Sequence, residues 1–247
     1  MLDTLKRITI GSSLLLLMPL LVILSGWKWK PTDTGWGHLL MFGITESINY
    51  PWIVWTSIIL CSWFAYCIRC SCKSTIFFIS ILILSLLVGE GIKDFIKEQT
   101  KELRPYRLWI LENYATKMPY TIKETDFLLQ DKVFRSSLDP KKVPLWLIEH
   151  WSHTNSFSFP SGHTMFASTW SLIGIGVLWP RRCYYTVFIV TMWALAVMGS
   201  RLIFGMHWPI DLIVSIIFSG VLATLVTMLF QRIKTVDTID VSRDRLS

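Results

Sequence analysis

Six stretches of the chain run without a charged residue for close to the length that a bilayer demands, and polar stretches separate them. They fall at residues 8–26, 50–68, 74–89, 164–180, 183–200 and 212–231, where about 20 apolar residues suffice to cross a ~30 Å hydrocarbon core. The third is short before Glu90, but Ile92, Phe95 and Ile96 continue a helical apolar face, so the helix is expected to run on to 96. The expected fold is an all-α integral membrane protein forming a single domain, 1–247. Its six transmembrane helices lie at about 8–26, 50–68, 74–96, 164–180, 183–200 and 208–231, with a small helical extracytoplasmic segment at about 97–160, between helices three and four. Lys6 and Arg7 could open a signal peptide, but no small-residue cleavage site follows the first apolar stretch, so a retained helix is expected.

Composition fits this reading. Hydrophobic residues make up 52% of the 247 and charged residues 17%, with a mean hydropathy of +0.48, which excludes a disordered chain and argues against a cytosolic enzyme. The net charge of +7 is scattered between apolar blocks rather than gathered on one soluble face, as a nucleic-acid binder would need. Cys61, Cys67, Cys70, Cys72 and Cys183 all lie outside the long polar stretch, which therefore has no disulfide framework. The run from Cys67 to Cys72 has no histidine beside it and reads as buried thiols rather than a metal site.

With six spans both termini share a side. That side carries Lys6, Arg7, Arg69, Lys73, Arg181, Arg182, Arg232, Lys234, Arg243 and Arg245, against Lys28, Lys30 and Arg201 in the short loops opposite. Ten against three places the termini in the cytoplasm. Trp27, Trp29, Trp52, Trp55, Trp179 and Trp208 lie near the expected span ends and read as an interfacial belt. In the long outer segment acidic and basic residues nearly balance, and Tyr106, Trp109, Tyr114, Tyr120, Trp146 and Trp151 could pack as a helical cap, with helix-like spacing around Leu145, Trp146 and Ile148. His150 and His153, beside Glu149, and His38 read as solvated.

Charge in apolar surroundings marks functional positions, and three clusters qualify. Lys97 with Arg104 and Pro105 follows helix three; Pro160, Ser161, Gly162 and His163 precede helix four; Ser200 and Arg201, with His207 and Asp211, bridge helices five and six. All are expected on the outer face. Lys97, Arg104 and Arg201 suit the oxygens of a phosphoryl group, and the start of helix four at Ser161 and Gly162 offers backbone N–H groups to an anion. His207 and Asp211 stand four residues apart, on one helix face, so the carboxylate can hold one ring nitrogen while the other attacks phosphorus. His163 then protonates the leaving oxygen and later takes a proton from water. Glu90 is expected to pair with Lys93 or Lys97 in its own helix.

These clusters resemble, without gaps, the three-part signature of the type 2 phosphatidic acid phosphatase superfamily, which also holds bacterial acid phosphatases and vanadium haloperoxidases. The layout, together with FPSGHTMFAS and MGSRLIFGMHWPIDL, is most similar to the superfamily's bacterial phosphatidylglycerophosphatases. The resemblance implies His207 as nucleophile, Asp211 as its partner, His163 as acid and base, and Lys97, Arg104, Ser161, Gly162 and Arg201 as phosphate contacts. It implies no metal and no cofactor. The implied substrates are phosphatidylglycerol phosphate, phosphatidate, lysophosphatidate, diacylglycerol pyrophosphate and undecaprenyl pyrophosphate, met at the periplasmic face of a bacterial inner membrane. Two alternatives stay open: a phosphotransferase moving phosphate from undecaprenyl pyrophosphate to another lipid, and a non-catalytic lipid transporter or binder; a haloperoxidase is not expected in a six-span chain.

Overall fold

The computed structural model describes residues 2–31, 35–114, 143–152 and 157–243, with side chains up to 233 other than that of Tyr114. The described residues form helices α1 (Leu2–Leu24), α2 (Trp36–Glu46), α3 (Trp52–Ile68), α4 (Cys72–Thr100), α5 (Pro105–Tyr114), α6 (Leu145–Ser152), α7 (Gly162–Leu178), α8 (Tyr184–Ile203) and α9 (Pro209–Arg243). The all-α expectation therefore holds. Tyr120 and His153 lie outside the described residues.

Each expected span meets a helix, but the helices differ in reach. Leu2–Leu24, Cys72–Asn113, Tyr184–Ile203 and Pro209–Ile233 contain stretches long and apolar enough to cross a membrane. By that measure the described residues hold four candidate crossings, where the sequence reading expects six. α3 and α7 have only 17 residues each, a rise of about 25 Å. α7 opens at Gly162, two residues before the expected span start, just after Pro160, and a 3-10 turn at Trp179–Arg181 closes it.

α7 is the axis of the bundle. Every side chain from Thr164 to Leu178 is buried, with α1, α3, α4, α8 and α9 packed around it. Its polar side chains find partners in the neighbouring helix: Ser168 and Thr169 donate to Ser219 Oγ at 2.8 and 3.0 Å, and Ser219 donates on to the Met165 carbonyl at 3.0 Å. Hydroxyls that would be costly in hydrocarbon thus join α7 to α9. α1 closes the bundle against both, and Thr4 Oγ1 donates to Gln231 Oε1 at 3.1 Å.

A second, smaller core forms the cap. Tyr106, Ile110, Leu147, Ile148, Trp151, Phe204 and Met206 are buried together, with Trp29, Phe42, Trp109 and Trp146 packed against them. Trp151 stacks on Tyr106 at 4.6 Å between ring centroids. Two expectations need correcting here. α2 lies in a stretch read as a plain loop, and Trp29, read as a belt residue, instead donates its Nε1–H to the Ile203 carbonyl at 2.7 Å and meets Trp109 and Trp151 edge-on. Linear position cannot tell an interfacial tryptophan from one folded onto a cap.

The Trp29 ring lies over Gly205, whose φ of +64° favours glycine and where a Cβ would come within 2.5 Å of the ring. Gly205→Ala is therefore expected to cost about 1–3 kcal/mol in backbone strain, with further loss from the displaced ring. Thermal unfolding in detergent checks this, and an unshifted midpoint would contradict it.

Candidate active site

The three polar clusters meet between the cap and the adjoining ends of the bundle helices. α4 ends in a left-handed residue, Lys101, and the chain turns through Arg104 into α5. This loop is zipped to the one between α8 and α9: the Tyr106 amide donates to the Gly205 carbonyl at 3.0 Å, and Trp208 Nε1 donates to the Leu103 carbonyl at 2.9 Å. The Ser158 amide adds the third strand of contact, donating to the Glu102 carbonyl at 2.8 Å. Loops distant in sequence thus share one register.

Lys97, Arg104, Ser161, Arg201, His207 and Asp211 are all buried. Lys97 Nζ and Arg104 Nη2 both donate to the Phe157 carbonyl, at 2.9 and 3.3 Å, so one backbone oxygen holds two cations side by side. Arg104 Nη1 also donates to the Met206 carbonyl at 2.8 Å and lies 3.3 Å from His207 Nε2. Arg201 enters from α8, donating to Thr45 Oγ1 at 2.8 Å. Its Nε is buried and makes no hydrogen bond among the described residues, a donor suited to an incoming anion.

His207 and Asp211 meet as their spacing predicts. His207 Nδ1 lies 3.1 Å from Asp211 Oδ2, which also accepts from Ser158 Oγ at 2.5 Å and from the Trp208 amide at 3.0 Å. A carboxylate oxygen calls for a donor, so Nδ1 carries the proton, and Nε2 presents its lone pair toward Arg104. Burial, and then Arg104, Arg201 and Lys97, hold the His207 imidazole well below the ordinary histidine range. The ring is thereby kept neutral, with Nε2 free of a proton.

Ser161 and Gly162 act differently from each other. Ser161 Oγ caps α7 by accepting from the Thr164 amide at 3.3 Å, while the Ser161 amide donates to Ser215 Oγ at 2.9 Å. The amides of Gly162 and His163, in the first turn, have no intrahelical carbonyl to reach and are the ones suited to an anion. A Cβ at Gly162 would fall within 2.8 Å of the flexible Lys93 side chain, which would have to shift to admit it. Lys93 itself is paired with Glu90 and Asp94, as expected for Glu90.

The histidine at the start of α7 is held by a residue the sequence reading passed over. His163 Nε2 lies 3.0 Å from Asn49 Oδ1, and Asn49 Nδ2 donates to Glu46 Oε1 at 2.7 Å. Glu46 Oε1 also lies 3.2 Å from His150 Nδ1, and His150 Nε2 lies 3.4 Å from Arg201 Nη1. His150 is buried, contrary to its reading as solvated, because Phe42 of α2 and Phe204 pack edge-on against its ring. Burial lowers its pKa, and the His150 hydrogen bond lowers that of Glu46. A signal for Glu46 was present, since it is the sole carboxylate between Asp33 and Glu90. Ser158, Ser215 and the Phe157 carbonyl gave none.

Residues 76–234 match the PAP2 superfamily, and all three clusters fall inside that match. The chain belongs to this superfamily. Phosphatidylglycerophosphatase B of Escherichia coli (strain K12) is 40% identical over 231 residues, covering 92% of this chain and 90% of that protein. Its namesake from Haemophilus influenzae is 25% identical over 228 residues, covering 90% and 94%. The chain is accordingly a multi-pass membrane phosphatase of the PAP2 superfamily and a homologue of phosphatidylglycerophosphatase B. The likeness read from its motifs holds across nearly the whole chain.

Proposed function

We propose that this PAP2 phosphatase hydrolyses phosphatidylglycerol phosphate and related lipid phosphates and pyrophosphates through a phosphohistidine on His207. The carrying observation is the alignment of Asp211, His207 and Arg104, in which a carboxylate holds Nδ1 of the imidazole and a guanidinium lies 3.3 Å from its Nε2. His207 Nε2 attacks phosphorus, a P–N bond forms, and the P–O bond to the lipid breaks. His163 gives its proton to the departing oxygen. Water then attacks the phosphohistidine, His163 removes its proton, and the P–N bond breaks to free phosphate. Lys97, Arg104, Arg201 and the first-turn amides of α7 steady the charge on the transferring oxygens, with Ser161 holding the helix start in place.

Positive potential from side chains supports a reaction that needs no metal. Purified protein is expected to release free phosphate from a panel of lipid phosphates and pyrophosphates, undiminished by a chelator and inhibited by orthovanadate, which adopts the five-coordinate geometry of the transferring phosphoryl group. Activity lost on chelation and restored by Mg²⁺ or Zn²⁺ would contradict this. Label recovered in an acceptor lipid instead of free phosphate would favour the phosphotransferase reading.

The charge asymmetry of the loops supports six crossings, cytoplasmic termini and a site on the periplasmic side of a bacterial inner membrane. In that layout α3 and α7 cross as short helices within the bundle, near the lower limit of about 17 residues. A cysteine replacing exposed Glu112 in α5, in a background without the native cysteines, should react with an impermeant thiol reagent in intact spheroplasts. Reaction only after lysis would overturn this topology.

A further inference from the structure

The site contains two chains of carboxylate, imidazole and guanidinium. One is Asp211, His207 and Arg104; the other is Glu46, His150 and Arg201. In both, Nδ1–H faces a carboxylate and Nε2 accepts from an arginine. The second differs in having a branch, because the same Glu46 oxygen receives the amide of Asn49, whose carbonyl oxygen faces His163. That bond settles the orientation of the Asn49 amide: with its nitrogen committed to Glu46, only its oxygen can meet His163. His163 Nε2 therefore carries a proton directed at Asn49, which leaves Nδ1 as the nitrogen that gives the catalytic proton when the ring is charged and takes one back from water, with Asn49 fixing the ring's orientation.

We propose that Glu46 is a positioning residue that sets His163, through Asn49, and Arg201, through His150, in one register across the site. The inference rests on the function proposed above, in which His163 moves protons and Arg201 holds phosphate. Glu46 and Asn49 touch neither phosphorus nor the leaving oxygen. Their effect is to remove rotational freedom from a proton donor that must meet the leaving oxygen at hydrogen-bond distance. Because the arms diverge at Glu46, they are separable. Loss of Asn49 disturbs proton transfer and leaves phosphate binding; loss of His150 disturbs Arg201 and with it binding. Glu46 also lines a cavity of about 610 Å³, with Phe42, Asn49, Tyr50, Trp146, Glu149 and His150.

The test measures kcat and KM for phosphatidate with full-length protein in detergent. Asn49→Ala should lower kcat roughly tenfold or more at near-constant KM, a part of the ~10²–10⁴-fold that a placed acid contributes. His150→Phe, which keeps the ring packing, should raise KM with a smaller change in kcat. Glu46→Ala should do both, and Glu46→Gln, which keeps an acceptor oxygen for both arms, should recover most of the activity. The deciding comparison is a cycle: Asn49→Ala placed in His163→Ala should cause no further loss. Additive losses would show that Asn49 acts on something other than His163 and would overturn the proposal, as would wild-type kinetics in Asn49→Ala or Glu46→Ala. If Asn49→Ala unfolds, Asn49→Asp, nearly identical in shape but repelled by Glu46, should reproduce the kcat loss in a folded protein; wild-type turnover there would also overturn it. The two readings fail separately. A wild-type enzyme that releases no phosphate removes both, whereas an active enzyme with an additive cycle removes only this one.

Discussion

His163→Ala protein given a terminally labelled lipid pyrophosphate is expected to hold the label on its own chain. The leaving group in that reaction is a lipid phosphate, which departs without needing a proton, so attack by His207 still proceeds. Release of the intermediate does need a base for water, and the mutant lacks it. Formation then outruns breakdown, and label accumulates in an acid-labile, alkali-stable form. With a monoester such as phosphatidate, whose leaving alkoxide is strongly basic, the same mutant should be slow at the first step and gather little label. Adding His207→Ala should abolish labelling. Equal labelling with and without His207 would place the nucleophile elsewhere and end the proposed mechanism.

Asp211→Asn is expected to lower turnover by roughly a hundredfold to ten-thousandfold while leaving the fold intact. The geometry changes the reason for this loss from the one sequence spacing provides. Spacing points to the tautomer of His207, which an amide could reverse. In the structure one oxygen, Oδ2, accepts from His207, Ser158 and the Trp208 amide together, and an Asn oxygen placed there could still receive all three. What the mutant lacks is charge. When Nε2 bonds to phosphorus the ring becomes cationic, buried beside Arg104, and Asp211 is the carboxylate that balances it. Asn matches Asp in shape and its oxygen can still accept all three bonds, so a folded protein with a melting temperature lowered only modestly and collapsed turnover is the expected pair of results. A lowered melting temperature with near-normal turnover would make Asp211 a helix-terminus residue only.

The catalytic part of this site could be read from the chain because each of its members is conspicuous. Lys97, Arg104, Arg201, His207 and Asp211 are polar or charged where apolar residues dominate, and the motifs that contain them keep fixed spacings. The supporting part was hidden for different reasons. The Phe157 carbonyl is backbone and has no residue signature. Ser158 and Ser215 are common residues whose roles exist only once α7 and α9 are packed. His150 was noticed and misjudged, since its burial comes from Phe42, on a helix the apolar pattern did not announce. Helix starts were legible to within six residues, but helix ends were less so: the last helix continues to Arg243, twelve residues past its expected end at 231, because a hydropathy run does not record where hydrogen bonding stops.

The closure of α1 against α7 and α9 constrains how the enzyme is made. α1 packs against α9, far downstream of it, and Thr4 reaches Gln231 across 227 positions of sequence. Such long-range pairing is slow to complete, so α1 must wait in the bilayer until synthesis is nearly finished. Chemistry waits as well. Lys97, Arg104, His163 and Arg201 all precede His207 and Asp211 in the chain, so under the proposed mechanism the groups that hold phosphate are synthesised before the nucleophile. Packing of α9 against α7 is then the step that completes the proposed site, and a chain stalled before His207 should bind lipid phosphate without hydrolysing it.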